Sequence, residues 1–185
     1  MKYKYVIVSP KQKWGGAIAL HALCKYLSDL GYESSIFYTE VYGCGHKPIL
    51  SRVLYVGKWI IYSFRESIRE FRNKKNDEYP VKNCKIKHLP FVTKNTIVVY
   101  PDVIYGNPLN ARKVVRWFLY YNRYEKQAYK SSDLFICFRQ EFNDLELNPL
   151  KKEVRITYYD MELYSQYNFN ERSGKCFLLR KGKER

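Results

Sequence analysis

Apolar residues fall along the chain in two rhythms. Short continuous β-branched runs alternate with longer stretches in which apolar positions recur every three or four residues. Tyr5-Val6-Ile7-Val8 is of the first kind and predicts a buried parallel strand. Ser9 to Gly16 reads as a loop closed by Gly15-Gly16. Ala17 to Leu30 then predicts a helix, because Leu20, Leu23, Leu27 and Leu30 keep one face apolar. Gly31 stands where a helix takes its C′ glycine, and Ser34 to Tyr38 predicts a second strand. Strand, glycine loop, helix, glycine and strand make a βαβ unit, whose crossover is right-handed by rule.

Residues 39–48 read as a loop with Gly43, Gly45 and Pro48. Residues 49–71 are amphipathic at helical spacing, through Ile49, Val53, Val56, Ile60, Phe64, Ile68 and Phe71. Residues 72–88 are polar and basic and read as a loop. Thr96 to Tyr100 predicts a buried strand ended by Pro101. Asn107 and Pro108 fit the N-cap and first position of a following helix, with Val114, Val115, Phe118 and Leu119 as its buried stripe. After a polar connection over 122–132, Asp133 to Phe138 and Val154 to Tyr158 are the remaining expected strands. The chain shows no internal repeat. Repeated βα units predict an α/β fold, a mostly parallel sheet with helices on both faces. Ligands of such sheets bind beyond the carboxyl ends of the strands. The loops at 9–16, 39–48, 101–107 and 158–160 are therefore expected on one edge.

Composition adds limits. The 185 residues are 46% apolar and 17% aromatic, which excludes a disordered tail or a low-complexity fibre. Thirty-three Lys and Arg against 18 Asp and Glu leave a formal charge of +15, which calls for nucleic acid, an anionic membrane or a phosphorylated substrate. The 19 tyrosines supply rings with polar tips, suited to a core rim, to sugars or to headgroups. The first residues lack a signal-peptide core, and the longest apolar stretch, 53–64, is interrupted by Lys58 and too short to span a bilayer. The five cysteines (Cys24, Cys44, Cys84, Cys137 and Cys176) form no CxxC pair, and the three histidines are not near each other in sequence. That pattern fits reduced thiols in a cytoplasmic protein, with neither a disulfide framework nor a structural metal.

Several residues carry candidate chemistry, each beside a purely structural reading. Gly15-Gly16 opens a helix N-terminus directly after the first strand, where backbone N–H groups and the helix dipole favour phosphate. It is neither a GxGxxG fingerprint nor a P-loop, and a Gly-Gly pair also makes an ordinary tight turn. Asp102 could act as a general base for a hydroxyl, or satisfy loop amides. Arg112 and Arg116, four apart on the expected helix, could clamp phosphate or simply be solvated. His21 reads as a structural helix histidine, and His46 lies in a shaped glycine loop. The 49–71 stretch is a core helix or a membrane-surface one. In the second case Trp59 inserts while Arg65, Arg69, Arg72, Lys74 and Lys75 meet anionic headgroups.

Trp14-Gly15-Gly16 before an Ala/Leu helix resembles the opening of bacterial GT-B glycosyltransferases. The block Ile97-Val98-Val99-Tyr100-Pro101-Asp102-Val103-Ile104-Tyr105-Gly106-Asn107-Pro108-Leu109-Asn110-Ala111, with Val114-Val115-Arg116-Trp117, is similar to one in capsule and surface-polysaccharide glycosyltransferases. Tyr158-Tyr159-Asp160 resembles their domain-end segment. The resemblance implies a Rossmann-like acceptor-side domain over 1–170, half of a GT-B fold. Residues 171–185 would then be a linker and the start of a second, donor-binding domain. It implies sugar transfer from a nucleotide sugar to a glycan or lipid-linked glycan acceptor, with no cofactor and no metal. The nucleotide sugar would bind only with the second domain, so the chain alone would be inactive. Asp102 is the implied catalytic residue, and Gly15, Gly16, Tyr105, Asn107 and Asn110 the implied substrate-binding residues. A location in the cytoplasm, peripheral on the inner face of an anionic membrane, follows. The rival is a basic nucleic-acid-binding or non-catalytic partner protein. No RRM, KH, helix-turn-helix or zinc-finger signature supports specific nucleic-acid recognition.

Overall fold

The structure, a computed structural model, describes residues 3–10, 15–39, 57–58, 61, 64–65, 68, 84–85, 91–104, 106–122, 129–156, 169–171 and 173–174. Its elements are β1 (Lys4–Ser9), α1 (Gly15–Asp29), β2 (Glu33–Tyr38), β3 (Thr96–Pro101), β4 (Lys113–Phe118) and β5 (Leu134–Cys137). The strands form one five-stranded sheet in the order β2-β1-β3-β4-β5, and every neighbouring pair is parallel. This is an α/β, Rossmann-like fold. The order reverses between β1 and β3, because the chain steps outward to β2 and then returns to the other side of β1. That reversal is the topological switch point of a doubly wound sheet.

The β-branched runs become central strands because both faces of the sheet are covered. One face presents Ile7, Ile36, Tyr38, Val99 and Trp117 to Ala19, Leu20 and Cys24 of α1. The other presents Val6, Val8, Phe37, Val98, Tyr100 and Val114 to Ile104 and Ala111. Strands buried on both faces read as continuous apolar stretches, which is how β1 and β3 were recognisable. α1 ends as its sequence predicts. Gly31 takes φ 79°, its N–H reaches Ser28 O at 2.8 Å, and Tyr32 N–H reaches Leu27 O at 2.9 Å. Those two bonds make a Schellman cap.

The stretch after β3 corrects the sequence reading. Asn107 and Pro108 do not start a helix, and residues 113–118 are the strand β4, flanked by β3 and β5. Asn107-Pro108-Leu109-Asn110 is instead a turn closed by Asn110 N–H to Asn107 O at 3.0 Å, with Asn110 at φ 50°. The six residues Lys-Val-Val-Arg-Trp-Phe are β-branched and aromatic, and that run belongs to a strand. The described residues of the 102–112 connection thus cross the sheet without a regular helix, and Ile104, Leu109 and Ala111 cover the face opposite α1.

Two further expectations change. Val154 to Ile156 are not in a strand, although Glu153 bridges Cys137 and Val154 N–H reaches Cys137 O at 2.9 Å. The rest of that stretch lies outside the described residues. Residues 57, 58, 61, 64, 65 and 68 are helical, as expected. Phe64 and Ile68, placed on the apolar face, are 61% and 44% exposed, beside Ile61 at 61%, which disagrees with the core-helix reading of that stretch. No helix among the described residues is long and apolar enough to cross a membrane.

Candidate functional site

In a parallel sheet all strands end at one edge. Here that edge carries the ends of β1 (Ser9), β2 (Tyr38), β3 (Pro101), β4 (Phe118) and β5 (Cys137). α1 begins there too, because a crossover helix starts where its strand stops. Thr39 N–H donates to Ser9 O at 3.0 Å and ties the β1 and β2 ends together.

The glycine turn and the Asp102 loop meet through one residue, Leu119. A Cβ on Gly16 would lie 3.4 Å from Leu119 Cδ1. The Leu119 N–H donates to Asp102 Oδ1 at 3.0 Å. Gly15, Gly16 and Asp102 therefore share the carboxyl edge at the β1/β3 switch point, as expected from topology alone. Neither glycine has positive φ. Gly16 is in ordinary contact with Leu119, and a Cβ on Gly15 would meet open space. The first turn of α1 holds no acidic residue. Its N-terminal N–H groups lack intrahelical acceptors by construction, so the helix end suits an anion.

Asp102 is first of all the anchor of the 119 backbone, since Oδ1 is engaged there. This is the structural role weighed for it from sequence, and it coexists with a position at the site. Asn107 is likewise built into its loop. Its Oδ1 accepts Ala111 N–H at 3.0 Å and Tyr100 O–H at 3.2 Å, and its Nδ2 donates to Ala111 O at 2.8 Å. The buried Tyr100 hydroxyl also accepts Leu109 N–H at 3.0 Å.

Asn110 is not brought to this edge. It lies just before β4, at the amino edge of the sheet, where it lines a cavity of about 380 Å³ with Val92, Thr93, Lys94 and Arg112. Tyr105, His46 and Tyr158-Tyr159-Asp160 lie outside the described residues.

Arg116 is not an exposed phosphate clamp. It is buried, donates from Nε to Asp133 Oδ2 at 3.0 Å and from NH1 to Ile104 O at 3.1 Å, and bonds Gly106 O through NH2. Its guanidinium lies 4.8 Å from the Tyr100 ring centre and 5.2 Å from that of Tyr129. Arg112, by contrast, faces the opposite-edge cavity. His21 is structural. Nδ1 is 2.6 Å from Ala17 O, which can only accept, so Nδ1 carries the proton and Nε2 accepts Tyr38 O–H at 2.7 Å. Burial pushes its pKa below the ordinary 6.5, partly offset by the Ala17 carbonyl.

Sequence reasoning missed an aromatic rim. Tyr120 and Tyr121 follow β4, and Phe142 follows β5, so all three sit beyond the carboxyl edge. The ring centres are 4.9 Å apart for Tyr120–Tyr121 and 5.2 Å for each tyrosine to Phe142. Both tyrosines are about half exposed. The Leu119-Tyr120-Tyr121 run was the available signal, hidden by its assignment to a helix. Among the described residues no group of three His, Cys, Asp or Glu is placed to hold a metal.

Compared with known proteins, the chain matches no family, no curated protein and no solved structure.

Proposed function

We propose that the chain is the acceptor-side domain of a glycosyltransferase of surface or capsular polysaccharide synthesis, acting on a glycan or lipid-linked glycan. The supporting observation is the Gly16–Leu119–Asp102 link, which gathers the glycine turn and the carboxylate at the switch point. The resemblance of the 97–117 block supplies the reaction class. In this reading a diphosphate approaches the open side of Gly15 at the α1 N-terminus. The acceptor sugar rests against the Tyr120–Tyr121–Phe142 rim, whose two half-exposed tyrosine rings suit the C–H faces of a sugar. The acceptor hydroxyl attacks the anomeric carbon, the bond to the nucleoside diphosphate breaks, and Asp102 takes the hydroxyl proton. In this reading a second, donor-binding domain holds the nucleotide sugar, and transfer needs both domains. Peripheral contact with an anionic membrane would keep the domain beside a lipid-linked acceptor.

The test is transfer of radiolabelled sugar from a panel of nucleotide sugars to membranes carrying lipid-linked acceptors, with and without a co-expressed donor domain. Transfer is expected only with both. Asp102→Asn keeps an acceptor for Leu119 N–H but removes the base, and is expected to lower the rate about 10²–10⁴-fold without loss of fold. A variant as active as the parent assigns Asp102 to structure alone. Rapid turnover by the chain alone contradicts the two-domain reading, and tighter binding of single-stranded RNA than of glycan contradicts the function.

A further inference from the structure

The cysteines carry no motif, yet two of them, 60 positions apart in sequence (84 − 24), meet in space. Cys24 is buried on α1 against the sheet. Cys84 belongs to the short stretch Cys84–Lys85, which lies beside β2, since Ile36 N–H donates to Lys85 O at 2.8 Å. Cys84 Sγ donates to His21 O at 3.3 Å, the carbonyl one turn before Cys24. Cys84 packs against the cluster that holds Cys24, and the His21 carbonyl it bonds lies one helical turn from Cys24. Cys24 Sγ is also 3.5 Å from Ser34 Oγ. Cys24 has almost no exposed surface and Cys84 is half-buried, so a small solute can approach from the Cys84 side. Cys137 is buried elsewhere, with Phe118 and Phe135 on the opposite face.

We propose that Cys24 and Cys84 form a modification site for a small hydroperoxide, which closes them into a disulfide and staples the Cys84–Lys85 segment onto α1. The neighbouring Cys84 thiol outweighs burial and holds the Cys24 thiol below its ordinary range, while Cys24 and burial push the Cys84 thiol up. The Cys24 thiolate attacks one oxygen of hydrogen peroxide. The O–O bond breaks, hydroxide leaves and is protonated to water, and Cys24 becomes a sulfenic acid. The Cys84 sulfur then attacks the Cys24 sulfur. The S–S bond forms, the S–O bond breaks, and the hydroxyl leaves as a second water with the Cys84 proton. Two thiols lose two electrons and two hydrogens, and one peroxide is reduced to two waters. Cys84 is the resolving residue. This proposal is independent of the glycosyltransferase reading.

The experiment treats the folded full chain with a few equivalents of hydrogen peroxide, blocks free thiols and digests it without reduction. Intact mass is expected to fall by about 2 Da, with one cross-linked peptide pair joining Cys24 to Cys84, reversed by dithiothreitol. Cys137→Ser leaves that link unchanged. Cys84→Ser forms no link, and its Cys24 is trapped as sulfenic acid by dimedone. An unchanged mass, stepwise gain of oxygen with no link, or links scattered over all five cysteines as in the urea-unfolded chain would overturn the proposal.

Discussion

Replacing Arg116 by Met removes a buried cation whose three partners hold the irregular β3–β4 connection on the sheet. Asp133 Oδ2 would lose its charged donor, and the Ile104 and Gly106 carbonyls would lose theirs. Side chains of the pair are 2% and 3% exposed, so water cannot take over. Breaking one side of a buried ion pair costs about 3–5 kcal/mol. Contact with the Tyr100 and Tyr129 rings adds up to about 2 kcal/mol for a desolvated cation. Asp133→Leu should cost about the same as Arg116→Met, because it strands the guanidinium. The double variant Arg116→Met/Asp133→Leu leaves no buried charge and strands only the carbonyls, so about 2–4 kcal/mol is expected in place of the 6–10 kcal/mol sum. Urea unfolding followed by far-UV circular dichroism measures all four corners of the cycle. At roughly 1–3 kcal/mol per molar urea, each single variant shifts the midpoint by more than 1 M. A single variant costing under about 1 kcal/mol, or strict additivity, would show that the pair is not what fixes this connection.

Three further outcomes are expected. His21 is neutral when folded, with a pKa below 6.5, so its contribution is complete above pH 6.5 and is lost as pH falls, because the unfolded chain then binds a proton the native chain does not. The slope, up to about 1.4 kcal/mol per pH unit below 6.5, should flatten in His21→Gln; an identical pH profile in that variant would rule His21 out. Asn107→Ala strands the buried Ala111 amide and carbonyl and should cost about 1–3 kcal/mol in thermal unfolding, whereas a cost near zero would mean the loop is held elsewhere. The exposed Ile61, Phe64 and Ile68, beside Lys58 and Arg65, should direct binding to anionic vesicles, at about 1 kcal/mol per basic residue and weakened by salt. Phe64→Ser should reduce co-sedimentation, and equal pelleting with neutral and anionic lipid would exclude that surface.

The parallel sheet was legible wherever one local signal dominated. Val6-Ile7-Val8 and Ile97-Val98-Val99 are short β-branched runs and form central strands, and Leu20-Leu23-Leu27 followed by Gly31 forms a capped amphipathic helix. β4 was misread because Asn107-Pro108 serves equally as a helix start and as a turn, and only pairing with β3 and β5 decides between them. The same error turned Arg116 outward, and it hid Tyr120 and Tyr121 at the strand end. Placement of Gly15, Gly16 and Asp102 on one edge followed from topology, since parallel strands share a carboxyl end. Asn110 did not follow, because the 102–112 connection carries it back to the amino edge before β4. The Cys24–Cys84 approach had no sequence signal at all, since it depends on Cys84–Lys85 lying along β2.

On this reading the acceptor sugar and a diphosphate both bind at the carboxyl edge, at the β1/β3 switch point. Amide chemical-shift mapping of the isotope-labelled chain with a short-chain, water-soluble prenyl diphosphate saccharide tests it most directly. Saturable shifts should centre on Gly15, Gly16, Asp102, Leu119, Tyr120 and Tyr121, and should vanish when the diphosphate saccharide is replaced by the uncharged prenyl alcohol. Shifts confined to Thr93, Lys94, Asn110 and Arg112 around the opposite-edge cavity, or none at millimolar ligand, would contradict it.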